Sequence, residues 1–485
     1  MSAAPQKPAW PAMSIAQAHA LLTQPGSPLE MEEVMIRGVK TRVWKNAPPT
    51  IRHLLQIGRA HGNKEFLVYE NDRATFETFT RAALAIADEL TKQGVKKGDR
   101  VALIMRNLPE WPAIFFGAEI IGAIVTPLNA WWTGPELEYG LVDSGTKIAF
   151  ADAERLERIS EHLINCPDLK RVYVSRYSDD LPNPIVCRLE DVIGSVNDWG
   201  KLPDRPMPTV DLQPDDDATI LYTSGTTGKP KGALGTHRNM LSNIMAAASS
   251  AARNFLRRGE MPPMPDPNAP QRVSLLSVPF FHATGCFAIM GPTVFAGGKI
   301  VMMRKWEPEQ AMQLIEREKV NLAGGVPTIA WQLIEHPARK KYDLSSLDQV
   351  SYGGAPSAPE LVRKIVEVFP KSLPGNGWGM TETSATCTTH SGEDYEHRPQ
   401  SCGPAVPVCD IKIMSLDGER ELPHGEVGEL WARGPNIVKG YWNKPEATAN
   451  TFVDGWVKTG DLARIDEEGF CFIIDRAKDM LIRGG

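Results

Sequence analysis

What this sequence lacks narrows it before any motif is read. It has no basic surplus, since 53 lysines and arginines stand against 59 aspartates and glutamates for a net charge of −6. A protein that binds nucleic acid in bulk needs a positive excess to neutralise phosphate, so that class is disfavoured, while a local basic pocket for a phosphorylated ligand is not. Cysteine is sparse, at positions 166, 187, 286, 387, 402, 409 and 471, and no two form a CxxC pair. Neither a zinc site nor a thioredoxin-like motif is therefore supported, and an odd, scattered set of thiols fits a reducing cytoplasm. There is no membrane-length apolar run. The nearest, Ala113–Val125, is too short to cross a bilayer and carries Glu119, so it reads as a buried helix running into a strand. The opening MSAAPQKPAWPAMSIAQAHALL has no basic segment followed by a clean apolar stretch, the pattern of a signal peptide.

What is present is a long chain with an ordinary globular composition, 485 residues of which 42% are apolar and 23% charged. Single cores stop growing at roughly 250–300 residues, so one large unit with subdomains, or two domains, is expected. From residue 66 helical and strand patterns alternate. Phe79, Ala82, Ala83, Ile86 and Leu90 form one helical stripe ahead of Gly94, and RVALIM (Arg100–Met105) reads as a buried strand. A helix follows Pro109, IVTPL begins a strand, Thr133 and Glu136 open a further helix as a capping box, and KIAFA (Lys147–Ala151) is a strand. The alternation resumes after 218 with ATILYTSG, a helix near 237–255, VSLLSVP, KIVMM, a helix from Pro308, and QVSYGG. Such repetition means parallel sheets covered by helices, and two runs suggest two α/β subdomains. Past 400 the runs CDIKIMS, GEVGELWARG and FCFIID are short and separated by turns, as in an antiparallel or barrel-like β unit. The fold class is therefore α/β, with two helix-covered, mostly parallel sheets in αβαβα layers and a smaller barrel-like subdomain. The proline-rich Pro262–Pro270 is expected to be an exposed loop.

The strand ATILYTSG runs directly into TSGTTGKPKG, Thr223 to Gly232. Glycines at 225, 228 and 232 allow backbone conformations that turn several N–H groups to one side. Thr223, Ser224, Thr226 and Thr227 add hydroxyl donors, and Lys229 and Lys231 add charge. A loop of this kind suits a polyphosphate. It is not the P-loop of kinases, which needs GxxxxGK followed by Ser or Thr; here Pro230 follows Lys229 and forbids a continuing helix. A plain surface linker would not need two lysines directly after a buried strand.

These residues resemble the phosphate loop of the adenylate-forming superfamily of acyl-CoA synthetases, luciferases and peptide-synthetase adenylation domains. Four further motifs follow in the family's order: SYGGAP (Ser351–Pro356) is similar to its adenine-binding turn, NGWGMTE (Asn376–Glu382) to its YGxTE motif, TGDLA (Thr459–Ala463) to its ribose-binding aspartate and DRAKDMLIRGG (Asp475–Gly485) to its hinge. The likeness runs from near residue 50 to the end. It implies a two-step reaction in which a carboxylate attacks the α-phosphate of ATP, giving acyl-AMP and pyrophosphate, and a thiol, usually coenzyme A, then takes the acyl group. Mg²⁺ would assist, because two anions must meet and charge gathers on the α-phosphate.

The resemblance also assigns roles. Glu382 would hold Mg²⁺ and Thr381 the α-phosphate, with Lys231 beside them; Thr223 to Lys229, Gly354, Ala355, Pro356, Gly377, Gly379 and Met380 would frame the nucleotide. Trp378 stands where the family usually has tyrosine, keeping a ring to lie beside adenine but losing the phenol hydroxyl. Asp461 would accept hydrogen bonds from the ribose, assisted by Arg476. His282, in VPFFHATG, would lie beside the acyl carboxylate, and Gly324, Gly325, Val326, Tyr352 and Gly353 would line the acyl tunnel. Lys478 occupies the hinge position, where the chain swivels between two conformations. Each has a plainer alternative: Glu382 a solvated charge or helix cap, Trp378 and His282 packing residues, Asp461 with Arg476 a surface pair, Lys478 an exposed lysine.

The expected divisions are residues 1–400 as the large N-terminal region, 401–475 as the β-rich unit and 476–485 as hinge and start of a small C-terminal domain. That domain would carry the family's adenylating lysine. The chain stops in mid-motif, so a truncated form that binds nucleotide and acid but adenylates slowly is expected. VWKNAPPTIRHLL and LNAWWTGPELEYGLVDSG look most like bacterial fatty-acyl-CoA synthetases, implying a medium- or long-chain acid. An aromatic or steroid-derived acid, acyl loading onto a carrier protein, and a non-catalytic acyl-adenylate-binding module remain as alternatives. A cytoplasmic protein without nucleic-acid partners is expected; peripheral membrane contact and a homodimer stay open.

Overall fold

In the computed structural model the residues described are 10–223, 228–264, 266, 268–354 and 357–476. Two eight-stranded sheets and one six-stranded sheet carry the architecture. The first runs, edge to edge, through Gly440–Tyr441, Gly232–Thr236, Asp217–Tyr222, Ile124–Pro127, Arg100–Ile104, Thr146–Asp152, Arg171–Ser175 and Val186–Arg188. Its pairs are parallel from Asp217–Tyr222 onward, and the two strands at the other edge are antiparallel. Strands covered on both faces by helices can be apolar throughout, which is why Ile124–Pro127 and Thr146–Asp152 are buried along nearly their whole length.

The second sheet orders Thr388–Ser391, Leu373–Trp378, Gln349–Gly353, Leu322–Gly325, Val273–Leu276, Lys299–Met302, Glu65–Tyr69 and Asp72–Thr75, parallel except at its two edges. The two sheets do not follow two consecutive runs of chain. The hairpin Glu65–Thr75 precedes every strand of the first sheet, yet it pairs with Lys299–Met302 in the second. Apolar runs show that a strand is buried but not which sheet takes it.

Helices Phe76–Lys92, Glu110–Glu119 and His237–Arg257 contribute heavily to the largest core cluster. Phe66, Phe76, Phe79 and Phe116 pack ring on ring with centroids 4.6–5.3 Å apart. Gly117 is where the first two helices touch, because a Cβ there would lie 2.6 Å from the Ala83 carbonyl oxygen. The third sheet is antiparallel: Gly403–Pro404, Phe470–Arg476, Trp456–Ile465, Gly428–Arg433 and Asp410–Met414, with Phe452–Val453 against Trp456–Ile465. It curls around its own small core of Ile413, Leu430, Ala463 and Cys471. The fold class read from the sequence thus holds. Of the Pro262–Pro270 segment, every described residue except Pro262 is exposed.

Candidate active site

Strand Leu373–Trp378 ends in a turn that buries a carboxylate. At Gly379 a Cβ would collide with the Ala385 carbonyl, so only glycine lets the loop close on itself. A 3₁₀ turn at Thr381–Thr383 follows, and Ser384 and Ala385 then adopt φ of 47° and 80°, conformations that cost free energy outside glycine. Two asparagines hold this shape. Asn243 Nδ2 donates to the Ser384 carbonyl at 2.7 Å and its Oδ1 accepts from the Thr386 N–H at 3.0 Å. Asn436 Nδ2 donates to the carbonyls of Thr383 and Thr386 at 3.0 and 2.9 Å.

Glu382 is thereby buried, and its Oε1 accepts from the Tyr441 hydroxyl at 2.6 Å. The register Ala233↔Tyr441 sets Tyr441 beside the end of the glycine-rich loop, and Lys231 Nζ lies 4.3 Å from the Tyr441 ring centre. Burial pushes the Glu382 carboxyl above the ordinary range; Tyr441, Lys231 and Arg476 act in the opposite direction. A buried carboxylate facing a cation is suited to a divalent ion shared with phosphate. Among the described residues no group of three or more His, Cys, Asp or Glu could hold a metal.

A second carboxylate comes from the third sheet. Asp461 and Arg476 are register partners, with Arg476 Nε 3.6 Å from Asp461 Oδ1. Trp378 Nε1 donates to Asp461 Oδ2 at 2.8 Å. Burial pushes the Asp461 carboxyl up, and the Trp378 hydrogen bond and Arg476 oppose it. Gly377 lies close under the neighbouring strand, where a Cβ would stand 2.8 Å from the Thr388 carbonyl oxygen. Gly354 has φ 72° and open space around it.

At the carboxyl ends of strands from both parallel sheets lies a cavity of about 250 Å³, where ligands bind in open α/β sheets. Leu276, Val278, Phe281, Val326 and Ile329 make it apolar, and Arg106, Arg304 and Lys305 also line it. Trp131 meets Phe281 edge-on at 5.2 Å and is 53% exposed. His282 follows Phe281, its ring 4.8 Å from that of Phe281 and 6.3 Å from that of Trp131, and this partial burial holds its pKa below the ordinary value. The chain then enters a π-helical turn, Thr284–Met290, a form often found at functional sites.

A model of the AMP-binding enzyme family matches residues 55–442. The chain belongs to that family. It is 31% identical over 413 residues to a feruloyl-CoA synthase of an Amycolatopsis species, covering 85% of this chain and 75% of that protein. It is 32% identical over 444 residues to a long-chain-fatty-acid–CoA ligase of Bacillus subtilis, covering 87% and 76%. Among solved structures, the inhibitor-bound N-terminal domain of FACL13 from Mycobacterium tuberculosis superposes with a TM-score of 0.75 at 27% identity, covering 88% of this chain and all of that one. The resemblance to the adenylate-forming superfamily is borne out.

In this AMP-binding enzyme the structure brings Lys231 and Glu382 together around Tyr441, and Trp378 and Arg476 together around Asp461. Thr381 is half-buried beside Glu382, and Met380 opens the same turn through its N–H to Thr383 Oγ1 at 2.9 Å. Thr223 closes the base of its loop, donating its N–H to the Lys231 carbonyl at 2.9 Å. Gly228 is exposed, and the exposed Lys229 sits over the Tyr139 ring at 5.0 Å rather than beside Glu382. Val326 lines the cavity, and Gly325 adjoins it, since a Cβ there would meet Ser277, Val278 and Ile329. Gly324, with φ 145°, instead faces the Ser351 carbonyl within the sheet, and Gly353 lies against Gly377. Tyr352 is in the second core cluster with its hydroxyl 2.8 Å from that of Tyr395. Ser224, Gly225, Thr226, Thr227, Ala355, Pro356 and Lys478 lie outside the described residues. Sequence reasoning missed Tyr441, Asn243, Asn436 and Trp131. Of these only Trp131, in the adjacent pair AWWT, stood out; a single Tyr after glycine and two lone asparagines are unremarkable in a chain this long.

Proposed function

We propose that this chain activates a carboxylic acid with ATP, forming acyl-AMP and pyrophosphate, and passes the acyl group to the thiol of coenzyme A. The observation that carries the reading is the pairing of two buried carboxylates, Glu382 and Asp461, each with its own hydrogen-bond donor and both within the field of Arg476. Glu382 would hold Mg²⁺, which when bound would offset charge on the phosphates. Lys231 would add positive charge at the same place, and Thr381 a hydroxyl for the α-phosphate. Asp461 would accept from the ribose, Gly354, with open space around it, would let backbone approach the nucleotide closely, and Gly377 and Gly379 would shape the turn that frames it. His282, next in the chain to the cavity-lining Phe281, would face the acid's carboxylate, where its neutral form can donate a hydrogen bond without holding an ion pair. The cationic side chains of Arg106, Arg304 and Lys305 suit the phosphates of coenzyme A.

For the acid itself we favour a medium- or long-chain fatty acid, because aliphatic side chains outnumber aromatic ones in the apolar part of the cavity wall. A second reading, an aryl acid, is favoured by the Trp131–Phe281 pair, which could clasp a ring, and by the feruloyl-CoA synthase among the relatives. Thermal unfolding with non-hydrolysable acyl-AMP mimics carrying acetyl, octanoyl, palmitoyl, benzoyl and feruloyl groups separates the two. A ligand at 100 times its Kd stabilises by about 2.7 kcal/mol. The expected result is a shift that is largest for octanoyl or palmitoyl. A larger shift with feruloyl or benzoyl would move the assignment to aryl acids, and no shift with any mimic or with MgATP would overturn adenylation.

A further inference from the structure

Resting on the adenylation reading, we propose that Trp378 is a positioning residue for the nucleotide, its indole N–H holding Asp461 so that the other carboxylate edge faces the ribose hydroxyls. The geometry assigns the two oxygens of Asp461 different neighbours: Oδ2 takes the indole N–H at 2.8 Å, while Oδ1, among the described residues, faces the Arg476 guanidinium at 3.6 Å. The backbone around Asp461 is already fixed. Its N–H donates to Thr459 Oγ1 at 3.1 Å, and the Gly460 N–H donates to Glu429 Oε1 at 3.0 Å. What remains free is rotation of the carboxylate about its own stem, and the indole removes that freedom.

Trp378 is itself immobilised. Its N–H donates to Thr388 Oγ1 at 3.1 Å and its carbonyl accepts from the Cys387 N–H at 3.0 Å. The ring packs against both the largest core cluster and the core of the third sheet. An indole carries its donor on the flank of the ring, whereas a phenol carries it at the far end. A tyrosine at 378 would therefore keep an aromatic face and lose this bond. The charges facing Asp461 are the attractive Arg476 and the repulsive Glu429, so the indole is the neutral donor that favours an ionised carboxylate without adding charge.

The test compares binding of ATP and 2′,3′-dideoxy-ATP, each with Mg²⁺, by isothermal calorimetry in the unaltered chain and in Trp378→Phe, Trp378→Tyr and Asp461→Asn. The unaltered chain should prefer ATP by about tenfold or more, the scale of hydrogen bonds to a charged group. All three variants should narrow that preference to under about threefold. A residue that only stacks on adenine or fills space would weaken both nucleotides equally and keep the ratio, and that result in either Trp378 variant overturns the proposal. An unchanged ratio in Asp461→Asn overturns it as well, and this variant still reads out if a Trp378 variant fails to fold. Absence of ATP binding by the unaltered chain would instead remove the adenylation reading on which the proposal rests.

Discussion

A carboxylate with 5% of its surface exposed is costly to ionise, and Glu382 is kept usable by a hydroxyl and two cations rather than by solvent. Its raised pKa has a definite sign. Where an ordinary glutamate loses its charge near pH 4.5, Glu382 takes up its proton at a higher pH, and a protonated carboxyl does not bind a divalent ion. The Mg²⁺-dependent part of ATP affinity should therefore disappear on acidification before the ordinary glutamate range is reached. Glu382→Gln should remove that part at every pH while leaving the melting temperature similar or higher, since the substitution relieves a buried charge. Calorimetric titration with and without Mg²⁺ between pH 5 and 8 checks both. A Mg²⁺ effect that survives in the glutamine variant would place the ion elsewhere.

Between elements, the decisive device is helix His237–Arg257 bracing the Glu382 turn. Asn243 spends both ends of its amide on Ser384 and Thr386, residues next to or within the pair at positive φ. Asn243→Ala leaves a buried N–H and a buried carbonyl without partners, each costing about 1–3 kcal/mol. The chain should lose roughly 2–3 kcal/mol in urea unfolding, and ATP affinity should fall with it because the turn that holds Glu382 is no longer clamped. A loss of stability with full ATP affinity would mean that Asn436 alone keeps the turn in place. The helix itself was legible in the sequence as an apolar-patterned stretch. Its brace was not, since one asparagine on a helix is ordinarily a solvent-facing residue, and its partners lie some 140 positions away.

Across the whole molecule, the third sheet is tied to the rest by a buried ion cluster. Arg257, 1% exposed, donates to Asp394 at 2.8 and 2.9 Å and to Glu468 at 3.2 Å, joining the end of helix His237–Arg257 to helix Gly392–His397 and to a turn of the third sheet. Arg398 pairs with Glu468 beside it. Removing one partner of such a cluster strands the other charge, at about 3–5 kcal/mol. Asp394→Ala should lower the unfolding midpoint accordingly. Replacing Arg257 with Met and Asp394 with Leu together should recover much of the loss, because the stranded charge is gone. If Asp394→Ala costs under about 1 kcal/mol, the cluster is better solvated than its burial implies.

The sequence by itself determined the fold class and which residue types cluster at each motif. Apolar periodicity marked the buried strands and helices, and glycine, hydroxyl and lysine side chains clustered after Tyr222 read as a loop suited to a polyphosphate. Those are local properties, readable within ten or twenty residues. Only the tertiary structure decided which strands share a sheet, sending Glu65–Thr75 across to Lys299–Met302. It also decided what each carboxylate touches: Tyr441 at Glu382, and at Asp461 the indole of Trp378, 83 residues away in the chain. Hydrophobic burial is nearly indifferent to partner identity, and a hydrogen bond between distant residues leaves no periodic trace, so neither could be read before the chain was folded.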